Sequence, residues 1–98
     1  MAYMAIQLDL TKCETIGTLH RQIKQTFRFP DYYGENWDAF IDSFYTAGIP
    51  DKLIVRRKRT VSSDLEIEFR KMRGALEIIR KKLDLQGQKF SYEIHEVD

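Results

Sequence analysis

The chain has 98 residues, 43% of them hydrophobic, which is the length of one small domain with enough apolar surface for a core and excludes a disordered segment. Its single cysteine excludes an internal disulfide and favours a reducing compartment, for which we expect the cytoplasm. The N-terminal sequence lacks the pattern of a signal peptide, and no apolar run approaches the roughly 18 residues of a membrane span. We therefore expect one domain over residues 1–98 with no membrane partner.

The first two predicted elements are a strand and a helix. Residues 4–8 have the mixture of apolar and polar side chains of a short buried strand. Hydrophobic residues then recur every three or four positions, which predicts a helix from Thr15 to Phe27 with Thr15 or Thr18 as its N-cap. The recurring residues are Ile16, Leu19, Ile23 and Phe27. Pro30 prevents the helix from continuing.

A loop with the sequence FPDYYGEN precedes the second predicted helix. Gly34 permits a positive φ there, and Asn36 is a favourable N-cap, so the helix is predicted from Asn36 to Tyr45. Gly48 and Pro50 follow and end it. Its apolar side chains fall within an arc of about 100° when each residue turns by about 100°, which predicts a face packed on the core. These side chains are Trp37, Phe40, Ile41 and Phe44.

The second half of the chain predicts a strand, a helix and a strand. KLIVRRKR, residues 52–59, has β-branched residues near its centre and predicts a strand. Helical spacing predicts a helix from Ser63 to Leu83, with a break near Gly74 that leaves one helix or two open. Alternation in residues 89–97 predicts a half-exposed last strand. This order of elements, β, α, α, β, α, β, is typical of an α/β fold with a small parallel sheet of three strands packed with helices.

The charged residues separate by sign along the chain. Residues 29–50 contain four acidic residues and no lysine or arginine, whereas residues 52–59 contain five basic residues and no acidic one. Asp38 and Asp42 are four residues apart, so their carboxylates lie on neighbouring turns of one helix face. Asp38 in the first turn either complements the helix dipole or belongs to a binding surface, whereas the dipole fades before Asp42, which is either a solvated surface acid or part of a binding surface. A charge-based function must use the acidic or the basic segment.

The segment FPDYYGENWDAFIDSF resembles the barstar family of intracellular ribonuclease inhibitors. The similarity is strongest from Leu19 to Phe44, and it rests on a proline, a tyrosine pair, a glycine, an asparagine and two spaced aspartates in register. The matching positions include Pro30, Tyr32, Tyr33, Gly34, Asn36, Asp38, Ala39 and Asp42. This combination is far more specific than an acidic helix alone. The rest of the chain agrees with the family in the order and length of its elements.

The resemblance implies a non-enzymatic protein without a cofactor, which blocks a ribonuclease one to one by inserting the second helix and the preceding loop into its active site. Asp42 would take the place of an RNA phosphate, Asp38 would lie beside it, and Tyr32 would pack beside the partner's catalytic histidine. Two positions depart from the family's best-known pattern, since Ile41 replaces a tryptophan and Lys81 a glutamate. The residues predicted to contact the partner are Tyr32, Tyr33, Gly34, Glu35, Asn36, Asp38, Ile41, Asp42, Tyr45 and Lys81. We expect one of the two adjacent tyrosines to be buried.

Three other functions are possible from the sequence: direct RNA binding, binding of a protein other than a ribonuclease, and catalysis. The basic run Arg56 to Arg59 would contact phosphates if the protein bound RNA directly, but no stacking pattern or nucleic-acid motif accompanies it. Such a run is more typical of a solvated or edge strand, so we expect no direct nucleic-acid partner. A protein target other than a ribonuclease also fits, because a fold does not fix its partner. Catalysis is disfavoured because His20 and His95 lie in different elements, Cys13 is isolated, and no metal or cofactor motif is present.

Overall fold

The computed structural model describes residues 3–98, which form three helices and one three-stranded sheet. The elements in chain order are β1 (Ala5–Asp9), α1 (Ile16–Phe27), α2 (Trp37–Ala47), β2 (Lys52–Lys58), α3 (Ser63–Leu85) and β3 (Ser91–Val97). The strand order is β1-β2-β3, and both strand pairs are parallel. The predicted α/β class with a parallel three-stranded sheet is confirmed.

The sheet buries one face and exposes the other, with β2 at its centre. Leu8 of β1 and Leu53 and Val55 of β2 are completely buried. Arg56 of β2 and its register partner His95 of β3 are exposed on the opposite face. Because successive side chains of a strand point to opposite faces, β2 alternates between core and solvent. Because β2 is the central strand, the expectation of an edge strand is wrong, whereas the alternative of a solvated run holds for Arg56, Lys58 and Arg59.

Aromatic side chains hold α2 to the core along one of its faces. Phe40 and Phe44 are 0% and 1% exposed. The centroid of the Phe40 ring lies 5.5 to 6.2 Å from those of four other rings, which belong to Phe27, Phe29, Trp37 and Phe44. Three of the four pairs are edge to face, an arrangement that aromatic quadrupoles favour. The face of α2 that carries charge is therefore fixed relative to the rest of the chain.

α3 is one continuous helix, so the break that was expected near Gly74 is wrong. A glycine inside a helix costs about 1 kcal/mol relative to alanine. The buried stripe of α3 continues on both sides of Gly74, and each large side chain in it contributes about 1.5–3 kcal/mol on burial. The stripe consists of Leu65, Phe69, Met72, Leu76, Ile79 and Leu83. Burial therefore outweighs the glycine cost and keeps the helix intact.

The other predicted boundaries differ from the structure by two residues or fewer. Thr15 is the N-cap of α1, and its side chain and that of Thr18 form a reciprocal capping box. Asn36 is the N-cap of α2, which continues beyond Tyr45 to Ala47. Within residues 3–98, none of the helices is both long and apolar enough to cross a membrane.

Candidate protein-binding surface on the second helix

The loop before α2 is fastened to the start of the helix by backbone and amide hydrogen bonds. The side-chain oxygen of Asn36 accepts a hydrogen bond from Ala39 N at 2.8 Å, and its amide nitrogen donates one to Gly34 O at 3.1 Å. A Cβ added at Gly34 would lie 3.2 Å from the Asn36 amide nitrogen, so glycine allows the loop to approach its own cap. Gly34, which would permit a positive φ, does not have one, and the residue with a positive φ in this loop is Glu35, at 50°. The loop therefore has a defined path into the helix.

The two adjacent tyrosines of this loop have opposite environments. Tyr32 is 85% exposed, whereas Tyr33 is 6% exposed, which confirms that one of the pair is buried. The hydroxyl of Tyr33 lies 2.8 Å from Nδ1 of the buried His20 in α1. The imidazole of His20 also packs against the Trp37 ring, with centroids 4.8 Å apart. Tyr33 thus connects the loop to α1, and Tyr32 is the aromatic side chain of the pair that is accessible to a partner.

Trp37 connects the first turn of α2 to α3. Its Nε1 donates a hydrogen bond to Glu68 Oε1 at 3.0 Å, and Glu68 also pairs with Lys71 at 3.4 Å. The Glu68 side chain is only 12% exposed, so the charge-assisted bond is shielded from water. This contact and the aromatic core beneath α2 restrict both translation and rotation of the helix.

Three exposed carboxylates make up the acidic surface, which we define as Glu35, Asp38 and Asp42. Within residues 3–98, none of the three forms an ion pair with lysine, arginine or histidine. The neighbouring Asp31 differs, since Lys24 lies 3.5 Å from its carboxylate. Like charges four residues apart on a helix repel by a few tenths of a kcal/mol, and nothing in the described chain relieves this repulsion. The acidic surface is therefore exposed and has no cationic partner within residues 3–98.

Three other predicted contact residues, Ile41, Tyr45 and Lys81, differ from the acidic surface in exposure or in position. Ile41 is half-buried and packs against the core. Tyr45 is half-buried as well, burial raises its pKa, and its hydroxyl has no hydrogen-bond partner among the described residues. Lys81 is exposed on α3, but its neighbour Lys82 is the residue that reaches α2, with Nζ 5.1 Å from the Tyr45 ring centroid. Lys82 could not be identified from the sequence, because the contact joins two helices that are distant in sequence.

The basic run of β2 does not form one continuous cationic surface. Arg57 is buried, and its Nη1 donates to Glu66 Oε2 at 2.7 Å. Its guanidinium also lies 4.2 Å from the centroid of the Phe69 ring, a cation–π contact beneath the helices. Arg56, Lys58 and Arg59 are exposed. The alternation of β2 thus removes the second residue of the run from any phosphate, which weakens the RNA-binding alternative.

Arg57→Ala is expected to destabilise the protein, and it leaves the exposed basic side chains of β2 unchanged because Arg57 is buried. The substitution removes packing over Phe69 and leaves Glu66 unpaired, but Glu66 is 38% exposed and water can solvate it. We therefore expect a loss of about 1–3 kcal/mol in the free energy of unfolding, below the range for a fully buried pair. Arg56→Ala, on the open sheet face, should change it by less than about 0.5 kcal/mol. Urea unfolding measures both, and equal stability of the two variants would contradict this prediction.

His20 is expected to make the protein less stable in mild acid. Burial lowers its pKa from 6.5, while the nearby carboxylates of Glu35 and Glu68 act in the opposite direction. Because the fold favours the neutral imidazole, its stabilisation is complete above the unfolded pKa and is lost as pH falls below it. The free energy of unfolding should therefore decrease as pH falls below about 6.5, the pKa of an unfolded histidine, and level off once the pH has passed the lower folded pKa. His20→Gln should remove this dependence and His95→Gln should retain it, whereas an unchanged dependence in His20→Gln would contradict the assignment.

The groups considered for catalysis are not assembled into a site. His20 is a buried packing residue, and His95 lies on the open sheet face with its Nε2 2.8 Å from Glu93. Cys13 is buried, and desolvation raises the pKa of its thiol, which disfavours the reactive thiolate. Within residues 3–98, no group of three or more histidine, cysteine or acidic side chains is placed to hold a metal ion.

Comparison with protein-family models gives a match to the family described as Barstar (barnase inhibitor), over residues 3–95. A search of curated proteins found no match. The family match covers nearly the whole chain, including all of α2, the preceding loop and all of α3.

Proposed function

Since the chain belongs to the barstar family, a family of inhibitors, we propose that it inhibits a ribonuclease by placing the acidic surface of α2 in the enzyme's active site. The complex is proposed to contain one copy of each protein and to form in the cytoplasm, where the lone Cys13 stays reduced. No catalytic step by this chain is involved.

The chemistry of ribonucleases explains why carboxylates on a rigid helix would inhibit them. An enzyme that cleaves RNA holds phosphates with arginine, lysine and histidine side chains that already point at an anion. Carboxylates can accept the same charge-assisted hydrogen bonds, provided that the inhibitor does not have to reorganise to present them. Asp38 and Asp42 meet this condition because α2 is fixed by buried aromatic rings and by the bond from Trp37 to Glu68.

Each residue of the surface has a separate proposed role. Asp42 replaces a phosphate in the active site, while Asp38 and Glu35 accept hydrogen bonds from flanking cationic groups. Tyr32, 85% exposed on a loop whose neighbours are fixed, packs its ring against the enzyme beside the catalytic histidine. The net charge of the whole chain is only +1, so attraction to a basic enzyme depends on this local surface more than on long-range steering.

The observation that carries the proposal is the pair of exposed carboxylates of Asp38 and Asp42. They form no ion pair within residues 3–98 and lie one turn apart on a helix whose other face is buried and anchored. Titration of a bacterial ribonuclease of the barnase type, with RNA as substrate, tests it. Activity should fall linearly to zero at one equivalent of inhibitor, and a mononucleotide bound in the active site should slow the loss. Failure to inhibit, with the chain folded by circular dichroism, would favour a protein partner other than a ribonuclease.

A further inference from the structure

The outer edge of β3 is open. Within residues 3–98, the sheet ends at this strand, and its neighbour on the inner side is β2. Val97 O accepts a hydrogen bond from Arg59 N, so the backbone groups of Val97 point to β2. Because successive residues of a strand alternate in direction, the N–H and C=O groups of Tyr92, Ile94 and Glu96 point to the outer side, where the described chain offers them no partner. These groups are free to pair with an added strand.

A cavity of about 250 Å³ lies between α3 and the side of β3 that faces α3. Its apolar lining comes from Phe69 and Met72 of α3 and from Ile94 of β3. Pockets for small molecules usually measure about 300–1,000 Å³, so this cavity is better suited to a side chain than to a free ligand. Ile94 and Glu96 line it, and their backbone groups are also free on the outer side. Alternate side chains of a strand added to this edge would therefore face α3 and reach the cavity.

Three arginines also line the cavity and give it an excess of positive charge. Arg57 is buried and bonded to Glu66, whereas Arg70 and Arg73 are exposed and form no ion pair within residues 3–98. The hydrogen bond from Arg57 lowers the pKa of Glu66, and the charges of all three arginines lower it further, so the three lie near one carboxylate. The other acidic residue of the lining is Glu96, which leaves two unpaired cations against one carboxylate. The cavity therefore favours an anionic side chain.

The two unpaired arginines fit an extended acidic segment in spacing. Arg70 and Arg73 are about 4.5 Å apart along the helix axis. Alternate residues of a strand are about 7 Å apart on one face, so two acidic residues separated by one other residue reach both long side chains. A second copy of β3 fits less well. Arg73 lines the cavity with Ile94, at the centre of β3, so antiparallel pairing of two copies about that centre would bring like charges together.

We propose that the outer edge of β3 binds an extended acidic segment of another protein, which adds a strand to the sheet and places alternate carboxylates against Arg70 and Arg73. Backbone hydrogen bonds supply affinity, and the cavity supplies the preference for acidic side chains. Ordering of a flexible segment offsets part of this affinity. α2 meets α3 on another flank, through Glu68 and Lys82, which lie at least about 120° around the helix from the two arginines. The proposal therefore does not depend on the proposed inhibition of a ribonuclease.

Isothermal titration calorimetry of the full chain with a synthetic peptide tests the charge preference. The probe is a peptide of the length of β3 that alternates glutamate and valine, and it should bind at least about tenfold more tightly than the same peptide with glutamine in place of glutamate. The double variant Arg70→Gln, Arg73→Gln should weaken binding about tenfold or more. Arg56→Gln, Lys58→Gln removes the same charge from the open sheet face and should change the affinity by less than about twofold. Glu96→Gln should strengthen binding, because it removes a competing carboxylate.

Amide hydrogen exchange tests whether the peptide adds a strand. The N–H groups of Tyr92, Ile94 and Glu96 should exchange more slowly in the complex than in the free chain. The same peptide methylated at every backbone nitrogen keeps its charges but lacks the N–H donors, so it should not bind. Equal binding of the methylated peptide would overturn the proposal, as would displacement of the probe by inorganic phosphate at equal concentration, since the cavity would then bind a simple anion.

Three further results would contradict the proposal. One is a glutamate peptide that does not bind at concentrations up to about 1 mM. Another is a dimer of the free chain, seen by sedimentation velocity, in which the outward N–H groups of β3 are already protected, because a second copy would then occupy the edge. The third is loss of ribonuclease inhibition by the double variant Arg70→Gln, Arg73→Gln, because this flank of α3 would then belong to the enzyme's interface. If the natural chain proves not to inhibit a ribonuclease, the peptide measurements remain valid.

Discussion

Asp42→Asn is expected to weaken ribonuclease inhibition more than any other single substitution on α2. The carboxylate of Asp42 is exposed and makes no ion pair within residues 3–98, so the change removes charge without breaking a contact inside the protein. Side chains that act as hot spots cost about 2 kcal/mol or more when altered, which is about thirtyfold in Kd. We expect a loss of at least this size for Asp42→Asn, smaller losses for Asp38→Asn and Tyr32→Ala, and no measurable inhibition by the double aspartate variant.

The aspartate variants should leave the fold unchanged, which makes the binding result easy to interpret. Asp38 lies in the first turn of α2, where a negative charge stabilises the helix by about 0.3–1 kcal/mol. Removal of the repulsion between Asp38 and Asp42 returns a few tenths of a kcal/mol. The two effects are small and opposite in sign, so urea unfolding of the double variant should nearly coincide with that of the natural chain.

Asp84→Asn provides the matched control for these substitutions. Asp84 is 71% exposed near the end of α3 and pairs with Arg80, so the substitution makes the same change in net charge away from α2. It should inhibit the ribonuclease as well as the natural chain does. Isothermal titration calorimetry with the purified enzyme measures all of the variants. Unchanged affinity of the double aspartate variant would disprove the proposed role of the acidic surface.

Regular periodicity made most of the fold predictable from the sequence. The stripes of α1, α2 and α3 and the alternation of β3 each appear in a single stretch of residues, and local caps such as Thr15 and Asn36 mark where helices begin. Gly74 was misinterpreted because its local cost is visible in the sequence, whereas the burial that outweighs it depends on the assembled core. The role of Arg57 was missed for a similar reason, since its partners Glu66 and Phe69 become neighbours only when α3 covers the sheet.

The candidate surface could be predicted in part, because its acidic residues lie within one short segment. Its supports could not be predicted, since they join distant positions: His20 meets Tyr33 across 13 residues, and Trp37 meets Glu68 across 31. No spacing rule links such residues before the fold is known. The sequence therefore indicated which side chains carry charge, and the structure adds the contacts that hold them in place.

Phe40→Ala is expected to have the largest effect on folding. Phe40 is completely buried and packs against four aromatic rings beneath α2. Truncation of a buried phenylalanine to alanine costs about 3–5 kcal/mol, a large part of the roughly 5–15 kcal/mol that stabilises a domain. Urea unfolding should show this loss, and Phe40→Leu, which keeps most of the apolar volume, should show a smaller one. A midpoint for Phe40→Ala equal to that of the natural chain would contradict the role of Phe40 as the anchor of α2.

Addition of ribonuclease can distinguish the role of Phe40, which anchors α2, from the role of the Asp38 and Asp42 carboxylates that α2 carries. A partner that binds only the folded state stabilises it by RT ln(1 + [L]/Kd), where [L] is the concentration of free ribonuclease. Phe40→Ala keeps both aspartates, so excess ribonuclease should raise its unfolding temperature. The double aspartate variant keeps the anchor but not the charge, so excess ribonuclease should leave its unfolding temperature unchanged. The opposite pattern would mean that the enzyme recognises a surface other than α2.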